Sequence, residues 1–143
     1  MDAAVHTAIG FDKSAAFGPT ILIKPLTLDA LRQFRDLILE IARSQTSVDL
    51  AETPGFGGRD IDSLVIEYSD DEDGGGLSQV GAGPSFNWHG SATYWHHVVG
   101  LLEPLCDGQT GHQYLTDADD PAIVVLSFGE PEVGRRTYGL DPR

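Results

Sequence analysis

The chain has 143 residues, with nine Lys and Arg against 22 Asp and Glu, for a formal charge of −13. That length suits one domain that buries a core without help from disulfides or metals, and the single cysteine, Cys106, excludes an internal disulfide framework. The negative charge disfavours nucleic acid and anionic membrane as partners and favours basic ones. No basic n-region opens the sequence, and no apolar run nears the roughly 20 residues that span a bilayer. A soluble cytoplasmic protein is therefore expected.

In chain order, residues 1–18 are small, polar and aperiodic, and read as a loose arm. Thr20–Lys24 is β-rich and closed by Pro25, which predicts a strand. Thr27 suits an N-cap, and Leu28, Leu31, Phe34, Leu37, Ile38 and Ile41 then recur at helical spacing. Ser47–Ala51 reads as a short strand, and Thr53–Arg59 as a loop by its Pro and Gly content. Ile61 to Tyr68 alternates well enough for a strand. Asp70–Asp73 and Gly74–Gly76 read as a solvated hairpin tip, and Ser85–His89 as a further strand. Ser91 suits a second N-cap. Tyr94, Trp95, Val98, Leu101, Leu102 and Leu105 form a helical apolar face to about Cys106, bent or tightened near Pro104. His112–Leu115 and Ala122–Phe128 read as strands around an acidic turn, the second a central one, and residues 130–143 as a tail.

The predicted order is β-α-β-β-(β)-α-β-β in a single domain spanning residues 1–143. It corresponds to an α+β fold with two helices on one face of a mostly antiparallel sheet of four to six strands. No internal repeat is visible in this reading.

The chemistry is defined by charge rather than by a reactive motif. From Asp60 to Gly134 there are 14 acidic residues and no Lys or Arg. His89, His96, His97 and His112 share this half with Cys106, but no metal-binding spacing joins them. His96 and His97 are adjacent, so on a helix they diverge by about 100° and do not share one ion. An EF-hand reading of the Asp70 region fails, because Gly and Ala fall where oxygen ligands are required. No Gly-x-Ser-x-Gly, phosphate loop or dinucleotide fingerprint is present. No metal, cofactor or catalytic residue is assigned, and the chain is read as non-enzymatic.

The helix bearing Trp95 with Leu101, Leu102 and Leu105, then Gly111-His-Gln-Tyr-Leu115, an acidic turn and Ala122–Phe128, resembles bacterial immunity proteins of polymorphic-toxin and contact-dependent inhibition systems. The resemblance covers about 40 residues of the second half. It implies a small α+β inhibitor that binds a cognate toxin, with a basic nuclease as the candidate target. The charge suggests a contact patch at Asp70, Asp71, Glu72 and Asp73 and a second at Asp117, Asp119 and Asp120. Trp88 or Tyr114 is the candidate aromatic anchor. Core packing is the competing reading for Trp95 and Tyr114, and plain solvation for the acidic loops. A general interaction module, or a small enzyme of unrecognised type, remains the alternative function.

Overall fold

Alternation of inward and outward side chains decides most of the strands, and a computed structural model describes residues 5–14, 18–70, 74–116 and 120–129. The elements are β1 (Thr7–Asp12), β2 (Thr20–Pro25), α1 (Leu28–Ser44), β3 (Ser47–Asp49), a 3-10 turn (Leu50–Glu52), β4 (Phe56–Arg59), β5 (Ser63–Tyr68), β6 (Gly75–Gln79), β7 (Ser85–Gly90), α2 (Ala92–Cys106), β8 (Gly111–Tyr114) and β9 (Ile123–Phe128). The class is α+β, but the strands form two sheets rather than one. The first has the order β4-β1-β2-β9-β8 and the second β3-β5-β7-β6. Both are mixed: β2–β9, β1–β4 and β5–β7 are parallel, and the remaining pairs are antiparallel.

The expected N-terminal arm contains β1. Ile9 is fully buried on one face of the strand, a position that the small residues around it hide from a periodicity count. Phe56–Arg59, expected as a loop, is an edge strand paired in parallel with β1, and Gly57 leaves room for Val5, whose Cγ atoms would stand 3.1 Å from a Cβ there. The Asp70 loop is not a hairpin tip. It joins β5 to β6, which flank β7 on opposite sides instead of pairing with each other. The tail at 130–143 lies outside the described residues.

The two halves of the chain share one plan, although no repeat is visible in the sequence. Each runs hairpin, helix, strand, strand: β1-β2-α1-β3-β5 and β6-β7-α2-β8-β9. The pairings match position by position. Thr20 opposes Ile123 as Ser85 opposes Ser63, and Thr7 opposes Pro25 as Gly75 opposes Gly90. The outer pairs also match, since Val48 opposes Ile66 as Gln113 opposes Leu126. Each sheet therefore joins the hairpin of one half to the closing strand pair of the other, a pseudo-two-fold exchange. Among the described residues, β4 is the one strand without a counterpart.

The helices repeat the same logic. Thr27 and Ser91 both cap by accepting the third helical amide, from Ala30 at 3.0 Å and Tyr94 at 3.2 Å. Counted from those caps, Leu31 and Trp95, Phe34 and Val98, Ile38 and Leu102, Ile41 and Leu105, and Ala42 and Cys106 are equivalent, and all are buried. These faces meet between the sheets in one core cluster, with Ile21, Ile23, Leu64, Ile66, Phe86, Trp88, Val124 and Leu126.

Pro104 sits in the last turn of α2, where it and Gly100 face solvent. The Arg32 guanidinium of α1 donates through Nε and Nη2 to the Cys106 carbonyl at 3.2 and 3.1 Å, satisfying an end carbonyl and placing positive charge at the helix C-terminus. Burial raises the Cys106 thiol above its ordinary value of 9.0. The folded protein thus holds this proton more tightly than the unfolded chain. The linked stability is intact below about pH 9 and falls as pH rises past it. Iodoacetamide at pH 8, followed by mass spectrometry, is expected to label Cys106 far more slowly in the native protein than in urea. Equal rates would contradict its burial.

Candidate functional site

The described ends of the two acidic loops meet at one corner of the second sheet. Tyr68 at the end of β5 and Gly75 at the start of β6 both oppose Gly90 of β7, one from each side. The chain is tied there by Ser69 N–H to Gly90 O at 2.8 Å and Ser91 N–H to Gly74 O at 3.1 Å. Asp70 is exposed and accepts from the Tyr68 hydroxyl, a bond that raises the Tyr68 pKa above the ordinary tyrosine value. Asp120 reaches the same corner from the other loop. A Cβ placed on Gly76 would stand 3.1 Å from its Oδ1, so glycine leaves room for the carboxylate to lie over β6. The base of that loop is closed by Thr116, whose Oγ1 accepts from Val124 N–H at 2.9 Å and donates to Ala122 O at 3.4 Å. Asp71, Glu72, Asp73, Asp117 and Asp119 lie outside the described residues.

Of the two candidate anchors, Trp88 is corrected and Tyr114 keeps its surface position. Trp88 is fully buried, and its indole N–H donates to the Tyr94 hydroxyl at 2.9 Å. The cause is strand parity: Phe86, Trp88 and Gly90 all face the core. Trp95 is also fully buried. Its N–H donates to Glu67 O at 3.2 Å, and its ring meets Trp88 and Tyr94 edge-on at 5.0 and 5.1 Å. Tyr94 packs over Gly90, where a Cβ would stand 2.8 Å from the ring Cγ. This aromatic group is a scaffold under the acidic corner. Tyr114 is 46% exposed on β8, so core packing does not apply to it. Its ring stands 5.6 Å from His112, edge-on, at the foot of the Thr116–Pro121 loop.

His96 and His97 are exposed on α2, and His89 is half-buried on the outward face of β7. Among the described residues, no group of three or more His, Cys, Asp or Glu could hold a metal ion. No described helix is long and apolar enough to cross a membrane.

An open groove of about 810 Å³ runs between the β1–β2 and β6–β7 hairpins, within the size range of ligand sites. Its walls include Phe11, Asp12, Lys13, Pro19, Leu22, Arg59, Asp60, Gln79, Pro84 and Pro121. None of His89, His96 and His112 lines it. Pro19 and Pro84 are equivalent in the two halves. The Pro19 carbonyl accepts from Ile123 N–H at 2.8 Å, and the Pro84 carbonyl from Asp62 N–H at 2.9 Å. Sequence spacing does not single out Lys13 and Arg59, because each stands alone among small or glycine-rich residues. The usable signal was the repeated tripeptide Gly18-Pro19-Thr20 and Gly83-Pro84-Ser85, which marks the two hairpins as equivalent.

No family model, no curated protein and no solved structure matches this chain.

Proposed function

We propose that this protein is a non-enzymatic, acidic binding protein of the immunity type, which neutralises a basic toxin by occupying its charged cleft. The observation that carries the reading is the approach of Asp70 and Asp120 to one corner of the second sheet, in a chain of charge −13. Both residues belong to acidic runs, Asp70–Asp73 and Asp117–Asp120. Carboxylates gathered in this way attract a basic surface and speed its encounter. Tyr114, exposed beside the second loop, supplies the aromatic contact that interfaces favour. The Trp88–Tyr94–Trp95 aromatic group packs beneath this corner and supports the strand ends that carry Asp70 and Gly76.

The test is association with the product of the neighbouring gene, followed by stopped-flow fluorescence. A tight complex is expected, with an association rate that falls at least about tenfold between roughly 50 and 500 mM salt. A rate indifferent to salt would remove the electrostatic basis of the proposal. Consistent absence of a toxin-like gene beside this one among relatives would remove its biological basis, and would favour a general interaction module.

A further inference from the structure

We propose that the groove between the two hairpins binds a small organic anion, whose carboxylate or phosphate group sits between Lys13 and Arg59. The site is independent of the acidic corner. Its first support is the distribution of cations. Among the described residues, Arg32 is committed to the Cys106 carbonyl, Arg35 to Asp36 and Arg43 to Glu40, and Lys24 is also engaged. Among the described Lys and Arg, the side chains of Lys13 and Arg59 alone have neither a hydrogen bond nor an ion pair, and both line this groove. In a chain with more than twice as many acids as bases, two uncommitted cations facing one cavity point to an anionic group. The guanidinium fork matches a carboxylate or phosphate edge, and the ammonium adds a point charge.

The second support is how Arg59 comes to be there. It ends β4, the strand that breaks the pseudo-symmetry, and opposes Gly10 of β1. Lys13 follows β1 directly. In the other half the positions equivalent to Asp12 and Lys13 are Val80 and Gly81, so only one side of the groove is charged. Away from the charged side the wall mixes apolar Phe11, Leu22, Pro19 and Pro84 with polar Thr20 and Gln79, which suits a short ligand body that is only partly apolar. The two acids do not cancel the cations equally. Asp12 Oδ1 accepts from the Ser14 amide and hydroxyl at 2.9 and 3.2 Å. Asp60 is exposed and held at a φ of 59°, a left-handed conformation that Asp and Asn both tolerate.

The experiment is a ¹H–¹⁵N titration of the full chain with sodium hexanoate, inorganic phosphate and hexanol, read at the groove amides of Gly10 and Gly83. Saturable shifts are expected with hexanoate, phosphate or both, and the stronger of the two identifies the anionic group. Arg59→Gln and Lys13→Gln should each weaken that binding roughly tenfold. Asp60→Asn should tighten it roughly two- to fivefold by removing a like charge from the site. Dispersed spectra in all three variants establish that they fold. Hexanol binding as well as hexanoate, no saturable shift from either anion, or affinities unchanged in both cation variants would each overturn the proposal.

Discussion

Trp95→Ala is expected to lower the unfolding free energy by about 3–5 kcal/mol, the range for deleting a large buried aromatic. Trp95 is fully exposed to packing and not at all to water: its ring is the middle of a three-ring contact with Trp88 and Tyr94, and its N–H serves the Glu67 carbonyl. Truncation leaves a cavity between α2 and the second sheet and strips that carbonyl of its donor. Trp95→Phe keeps much of the volume and should cost less. Urea denaturation followed by circular dichroism reads both. His97→Ala, two residues on, on the opposite side of α2 and exposed, should stay within about 0.5 kcal/mol of the parent. A Trp95→Ala midpoint equal to that of the parent would show that the aromatic group is not the scaffold described.

Neutralising the first acidic loop, as Asp70→Asn, Asp71→Asn, Glu72→Gln and Asp73→Asn together, is expected to slow association with a basic partner roughly ten- to hundredfold at low salt. The dissociation rate should change less, because steering acts on encounter and rim charges contribute little once contact is made. Stability should hold or rise slightly, since adjacent carboxylates repel one another. The same substitutions should also flatten the salt dependence of the association rate. A large rise in dissociation with unaltered association would place these side chains in close contact and argue against long-range steering.

Much of the fold was legible because burial writes itself into spacing. The helix from Leu28 shows its inward face at three- and four-residue intervals, and Ala122–Phe128 shows an interior strand by being apolar at nearly every position. β1 and β4 were not legible, because Ala8, Gly10, Gly57 and Gly58 carry too little side chain to register a period. Trp88 shows another limit: composition marks an aromatic as valuable, but only parity against Phe86 decides which way it points. The pseudo-repeat was hidden because equivalent positions keep burial without keeping identity, as with Leu31 and Trp95. The acidic runs are visible as charge, whereas the placing of Asp70 and Asp120 at one corner depends on a sheet register that no local pattern encodes.

The exchange of hairpins between the halves also governs how the chain reaches its structure. Thr20 pairs with Ile123, so the central ladder of the first sheet closes across most of the sequence. A chain emerging from the ribosome can form β1, β2 and α1 early, but the inner edge of β2 stays bare until β9 arrives. Such non-local closure makes for slow folding and a long-lived open edge. Late synthesis, rather than the marginal stability of any one element, is then the vulnerable interval for this protein. Shortening the chain before β9 would leave β2 without its central partner, even though every residue of the first half remained.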